Sequence, residues 1–449
     1  MSGATGLLES FLGAIQASLS VLLVMFYGGI AAWLGILDPS NTKPVSKVCV
    51  RMFLPALLIT KIGSQLEAGS GTRYLVVVLW SVACHLLSFI IGFVAHYMLR
   101  TPDWTSVALM FNNTTSYPLL LIESLEQTGI LQALIIGDES GSDAVERATS
   151  YFLVFATISN CLTFAVGPRL VDSEHGPEQE ESDDDEEGDG WNGNQQGDEN
   201  DEERALSERT SLMRRHSTSY TFFPSSHKRA ELAARAEDMK RRAKIVPRRY
   251  WKSLSPRTKW WLILVSDFFN APLLGAMLGA VIGLTPPLHR AFFSDSQDGG
   301  IFSAWLTASL KNIGKLFVPL PVIIAGVSLF ASIRDARRNH DPISKLPWGP
   351  ISFILAFRFI VWPVASIALV YLLASKTNVL GDDPILWFTM MLMPTGPPAT
   401  RLVAMVQVSS GGDEDDEAII SKLLTISYLI SPVLSLAVVG SLRASESAF

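Results

Sequence analysis

Two stretches, NNTTSYP at 112–118 and PTGPPAT at 394–400, decide how this chain is read. Each interrupts an apolar run, 104–122 and 384–406, that is otherwise of the length needed to cross a bilayer core of about 30 Å. Proline lacks an N–H and clashes with the preceding helical turn, so Pro118 and the Pro397-Pro398 pair predict helices broken in mid-membrane. Freed backbone groups are intolerable against hydrocarbon. They are acceptable only where they line a polar cavity or are buried in protein.

Working outward, eight further apolar runs flank these two: 11–37, 45–63, 74–98 and 150–171 in the first part of the chain, and 261–284, 303–330, 349–373 and 419–441 in the second. Of the 79 charged side chains, 36 fall between 172 and 259, which leaves 43 for the other 361 residues. That is about half the usual share of a soluble domain. An ordinary soluble enzyme is excluded, and the reading is an all-α polytopic membrane protein with ten transmembrane helices. Cys49, Cys84 and Cys161 sit in apolar runs without CxxC spacing, so neither a disulfide framework nor a structural zinc is expected. No cofactor or metal is expected either. There is no GxxxxGK[ST], HExxH or GxSxG pattern, which argues against nucleotide hydrolysis and against an enzyme.

The ten runs divide into two repeats, 1–171 and 259–449, joined by 172–258. The joining segment carries 16 acidic residues between 172 and 203 and a basic, helix-forming stretch at 227–244. Its acidic part predicts disorder, and the basic part is a solvated linker helix or one lying on an anionic leaflet. Arg214 and Arg215 ahead of Ser217 and Thr218 would suit a basophilic kinase acting on 207–219. With the N-terminus on the lumenal or external side, short-loop Lys and Arg favour the cytosolic face 8 to 5. Both termini then lie on the lumenal or external side and 172–258 is cytosolic.

Five helices on each side of a cytosolic segment give the halves opposite orientation, as in inverted-repeat carriers. Three echoes occur in the same order: Pro55 in FLPALLIT with Pro319 and Pro321 in FVPLPVIIAG, then the two interruptions, then ATISN at 156–160 with LTISY at 424–428. Broken helices in matching places of inverted halves should cross near a pseudo-two-fold axis, which points to a substrate site there. Half-helix N-termini suit a carboxylate. Asn112, Asn113, Thr114, Thr115, Ser116, Thr395 and Thr400 add neutral donors, and Tyr117 a face with a polar tip. Gly396, Pro118, Pro397 and Pro398 shape the breaks. The plainer alternative is a pair of proline kinks whose polar groups only satisfy neighbouring backbone.

Ionisable residues inside apolar runs are functional candidates by default. His85 in the third run would carry a coupling proton or sit neutral between helices. Arg358 in the eighth would attract an organic anion or hold a cluster of backbone carbonyls. Lys311 and Lys315 share a face and are able to snorkel, and Asp267 is a potential partner.

At this point the residues resemble the auxin efflux carrier superfamily, PIN-LIKES type, in its fungal form. FFNAPLLGAMLGAVIGLTPPLHRAFFSDS (268–296) is similar to the family's sixth helix, RFIVWP (358–363) to its arginine-to-proline signature, and 396–431 to its PPA motif, downstream glutamine and acidic turn. NNTTSYPLLLIESL is a looser match, since the family often has a Gly-Asn pattern there. The resemblance implies a 5+5 inverted repeat with scaffold and transport domains, a homodimer and residence in the endoplasmic reticulum. It also implies an indole acetate-type anion bound at the crossing, with Asn112, Asn113, Pro118, Pro397 and Pro398 as contributors. The expected function is therefore a secondary carrier of a small amphipathic organic anion, auxin-like, working by alternating access. Two alternatives stand beside it: a sodium- or proton-coupled organic-acid symporter of the bile-acid type, and a non-transporting membrane regulator acting through 172–258.

Overall fold

The computed structural model describes residues 2–66, 69–135, 139–167, 256–338, 346–402 and 414–449. The acidic segment, the 207–219 kinase pattern and the 227–244 stretch all lie outside them. The described residues form helices α1 (Ser2–Trp33), α2 (Pro39–Val48), α3 (Leu54–Gln65), α4 (Gly71–Leu99), α5 (Asp103–Met110), α6 (Ser116–Gln127) and α7 (Gly141–Ala165) in the first part. In the second part come α8 (Pro256–Phe268), α9 (Ala271–Leu284), α10 (Pro286–Phe293), α11 (Ala308–Lys315), α12 (Leu320–Arg338), α13 (Trp348–Ala356), α14 (Trp362–Lys376), α15 (Pro384–Leu392), α16 (Glu414–Ile430) and α17 (Leu434–Ala448). Among the described residues there is no strand, only one isolated bridge.

Among the described residues, five helical stretches are long and apolar enough to cross a membrane: Leu8–Trp33, Gly71–Leu99, Ser303–Arg334, Trp348–Lys376 and Ile419–Ala448. The pair α9 and α10, bent by 103° at Thr285, makes a sixth if taken as one span. The ten runs are thus not ten uninterrupted rods. The second and fifth open on polar turns, PSNTKPVSKV and GSDAVERATS, while the fourth and ninth are broken. The stretch 123–149, between the fourth and fifth apolar runs, is largely helical too. α6 runs on to Gln127, and α7 starts at Gly141 because Ser140 caps it, accepting from Asp143 N at 3.3 Å.

Two intramembrane prolines that threaten a break are absorbed instead. A π-turn at Cys49–Phe53 precedes Pro55 and another at Phe357–Val361 precedes Pro363. The extra residue moves the carbonyl with which each ring would clash. On α4, Leu75, Leu79, Val82, Leu86, Phe93 and Tyr97 form one exposed apolar face, while Cys84, His85 and Ser88 are buried opposite. A helix patterned this way meets lipid on one side and protein on the other.

Packing repeats itself across the two parts. α1 packs on α12 as α3 packs on α9; α4 packs on α5 and α7 as α14 packs on α15 and α17. This is the pairing that two inverted copies require. Two contacts depend on glycine. A Cβ at Gly28 would collide with the Ile323 carbonyl and one at Gly326 with the Met25 carbonyl, so α1 and α12 touch backbone to backbone. In α9, Gly275 and Gly279 face Pro55 and Leu58 of α3 in the same manner, the close approach that small residues permit between membrane helices.

Candidate functional site

Both interruptions are real breaks, and they meet. α5 stops at Met110 and α6 begins at Ser116; α15 stops at Leu392, and helix resumes at Arg401 before the chain passes beyond the described residues at 403–413. Asn112 and Pro398 form an antiparallel bridge, with Asn113 N donating to Pro397 O at 2.9 Å and Ala399 N to Phe111 O at 3.0 Å. Neither proline has an N–H to give, so the ladder uses the Pro397 carbonyl and the Ala399 amide. Gly396 precedes them at φ 105°, a conformation that L side chains disfavour.

The carbonyls freed where α15 ends are all accounted for. Trp80 Nε1 donates to Met390 O at 3.0 Å, and Ser366 Oγ to Met391 O at 2.6 Å. Thr395 Oγ1 donates to Leu392 O at 2.7 Å. Asn112 Nδ2 reaches Met393 O at 3.0 Å and Thr395 O at 2.7 Å. Arg358 Nη1 donates to Pro394 O at 3.1 Å, while its Nε and Nη2 both reach Ala108 O, at 3.3 and 3.2 Å. Arg358 is 1% exposed. Of the two readings the sequence leaves open for it, the geometry is that of the carbonyl cluster. His85 is likewise the inter-helix histidine: Nδ1 lies 2.7 Å from Ser81 O and Nε2 2.9 Å from Ser159 Oγ.

The candidate residues divide between two cavities. The larger, about 70 Å³, is lined by Asn112, Asn113, Thr114, Thr115, Ser116 and Thr400 of the crossing. Ser159, Asn160 and Thr163 of α7, Arg401, and an apolar wall that includes Val50, Phe317, Pro321 and Ile324 complete it. That exceeds a single water site several times over. Among the described residues, none that line it is acidic. Thr163 stands at the end of α7, so the cavity lies toward the face from which the central segment departs.

Tyr117, Pro118, Thr395 and Gly396 line a second space of about 20 Å³, with Leu121, Ile122, Phe152, Leu392, Leu434 and Val438 as further wall. Tyr117 is 2% exposed and its hydroxyl donates to Ser431 O at 3.3 Å, so its polar tip is turned away from the larger cavity. Pro397 and Pro398 line neither space and serve the ladder.

The sequence reading missed several residues. Arg401 follows directly on PTGPPAT and brings a positive charge to the larger cavity, where it donates to Asn160 Oδ1. Asn160 Nδ2 is buried there with no hydrogen-bond partner among the described residues. The ATISN and LTISY echo was a visible signal, for the last residue of each reaches the break of the other half: Asn160 to Arg401, and Tyr428, whose hydroxyl accepts from Asn113 Nδ2 at 2.8 Å.

Two ionic groups also went unnoticed. Asp383 caps α15 by accepting from Leu386 N at 3.2 Å, and it gathers Tyr151 Oη at 2.9 Å, Arg73 Nη1 at 3.3 Å and Arg147 Nε at 3.5 Å. The Asp-Pro that opens α15 was its signal. Lys61 of α3 pairs with Glu146 of α7 at 2.8 Å. Counting 12 residues from Lys61 to Cys49, at 1.5 Å per residue, sets this pair roughly 20 Å from the cavity.

A profile of the family described as membrane transport protein matches residues 14–439. An uncharacterized transporter of Schizosaccharomyces pombe is 24% identical over 412 residues, covering 88% of this chain and 87% of the relative. One of Saccharomyces cerevisiae is 23% identical over 409 residues with the same coverage. Protein PIN-LIKES 5 of Arabidopsis thaliana is 27% identical over 175 residues, 39% of this chain and 40% of the relative.

Proposed function

Because the chain belongs to the membrane transport protein family, we propose that it is a secondary carrier of a small amphipathic organic anion, loaded at the crossing and moved by alternating access. The observation that carries the reading is the lining of the larger cavity. Asn113, Thr114, Thr115 and Ser116 at the start of α6 meet Arg401 at the start of the resumed helix, with no carboxylate in the lining among the described residues. Two half-helix N-termini, neutral donors and one guanidinium suit a carboxylate. Val50, Phe317, Pro321 and Ile324 offer an apolar surface to the rest of the molecule. An amphipathic acid satisfies both.

Alternating access would move α4–α7 and α13–α17 against α1–α3 and α8–α12. The cavity lies along that boundary, and the Lys61–Glu146 pair crosses it at the far end. In this reading the ten runs form a 5+5 inverted repeat, both termini are lumenal or external, and 172–258 faces the cytosol of an endoplasmic reticulum membrane.

The test is a thermal-shift screen of the purified full-length protein against indole-3-acetate, a bile acid and a dicarboxylate. A bound ligand at about 100 times its Kd stabilises by about 2.7 kcal/mol. The expected result is a shift with one acid class that is lost in Arg401→Ala, whose charge-assisted bond contributes about 1.5–3 kcal/mol, or roughly 10- to 150-fold in affinity. No shift with any acid, or an undiminished shift in a folded Arg401→Ala, overturns the reading. Uptake into proteoliposomes with and without a sodium gradient separates the coupled symporter from it.

A further inference from the structure

Arg358 emerges from the π-turn Phe357–Val361 and reaches the crossing without being among the residues that line the larger cavity. It is fully buried and pairs with no carboxylate among the described residues. Three of its nitrogens go to two carbonyls, Ala108 O near the end of α5 and Pro394 O just past the end of α15. Each helix C-terminus carries about half a negative elementary charge. Two that converge present about one, which a single guanidinium matches. The opposite ends are completed in the complementary sense, with Asp103 in the first turn of α5 and Asp383 capping α15. Burying an unpaired charge is costly, so the site must return a comparable electrostatic gain. The converging carbonyl dipoles are the source on view.

We infer that Arg358 is a positioning residue that supplies, as a fixed guanidinium, the cation required between the two half-helix C-termini. In carriers built from broken helices, unwound carbonyls and half-helix C-termini form the place where a coupling cation binds. Here that place is filled by the protein's own side chain. It holds the two breaks together while Asn113, Thr114 and Arg401, which line the larger cavity, face the solute. The significance of the assignment for transport rests on the crossing being the substrate site, as proposed above; the assignment itself concerns charge alone and is testable without any solute.

The purified full-length chain and its Arg358→Lys, Arg358→Gln and Arg358→Ala variants are melted in detergent, each with guanidinium chloride, sodium chloride or tetramethylammonium chloride at millimolar concentration and matched ionic strength. If charge is what matters, Lys retains more of the melting temperature than Gln, although Gln also donates hydrogen bonds. The Ala variant then regains stability saturably with guanidinium, while the wild type responds to no cation. Gln equal to Lys, together with an Ala variant that guanidinium and sodium raise no further than tetramethylammonium does, overturns the inference and leaves Arg358 as a plain carbonyl partner. Should the variants fail to accumulate, the wild type decides. A saturable gain with sodium would mean that a cation position is still open and would overturn the inference, whereas no gain supports it. Since no organic acid is present in any arm, a failure here is distinct from a failure of the ligand screen.

Discussion

Replacing Asn112 by alanine separates the architecture of the crossing from the chemistry of its cavity. Asn112 is 4% exposed, and its Nδ2 is the donor to both Met393 O and Thr395 O. Alanine leaves those carbonyls without that donor in a region closed to lipid and largely closed to water. Leaving one buried polar group unsatisfied costs about 1–3 kcal/mol. Partial hydration from the neighbouring cavity lowers the sum for the pair to about 2–4 kcal/mol.

Asn113→Ala loses the bond to the Tyr428 hydroxyl at a partly buried position and the one its Oδ1 accepts from Thr115 N, which at 3.4 Å is too long to add much, so the cost is about 0.5–1.5 kcal/mol. Melting of the ligand-free protein in detergent reads the contrast. At about 2–4 °C per kcal/mol for a mid-sized domain, and less for a longer chain, Asn112→Ala should melt about 3–8 °C below wild type and Asn113→Ala within about 3 °C of it. In ligand binding the order reverses between folded variants, since Asn113 presents its side chain at the start of α6. An Asn112→Ala protein as stable as wild type, or less stable Asn113→Ala protein, would refute the account of how the two breaks are joined.

Other outcomes follow from contacts already described. A Cβ at Gly279 would lie 2.9 Å from Leu58 O and 3.2 Å from Ile59 Cα, so Gly279→Ala should lower the melting temperature through overpacking of about 1–3 kcal/mol; a neutral result would mean that α3 and α9 are not in backbone contact. Lys61 and Glu146 keep 24% and 42% of their side-chain surface exposed, so their pairing contributes at most about 1 kcal/mol to stability. If alternating access works as proposed, its effect belongs to the conformational balance: Glu146→Lys should reduce labelling of a Thr400→Cys reporter in the larger cavity, and the added Lys61→Glu should restore it. Labelling unchanged by the single reversal would remove this pair from the gating scheme.

Much of the fold could be read from composition and proline placement, because hydrocarbon permits few alternatives to helices whose backbone is internally satisfied. NNTTSYP and PTGPPAT announced their breaks, and the meeting of 111–113 with 397–399 answers the expected crossing. The count of spans was less legible. Apolar runs say nothing about π-turns at Cys49–Phe53 and Phe357–Val361, the 103° bend at Thr285, or polar first turns that a cap at Ser140 makes helical. At the candidate site, the hydroxyl and amide residues were found as a group, but their division between two cavities was not. Which way Tyr117 points depends on Ser431, 314 residues away. Arg401 is hard to read from sequence because it lies just beyond the motif, and Asn160 because ATISN signals a repeat before it signals chemistry.

The ladder between the two breaks also bears on how such a chain is made. Asn112 and the Thr395 carbonyl it serves are 283 residues apart. At about 5–20 residues per second, a ribosome needs roughly 15–60 s to deliver the second after the first. Throughout that interval the first part of the chain sits in the bilayer with a torn helix whose Phe111 carbonyl and Asn113 amide lack their eventual counterparts. Biogenesis therefore calls for interim shelter, from the insertion machinery, a membrane chaperone or trapped water, and a lesion in the second half should first betray itself as degradation of newly made protein.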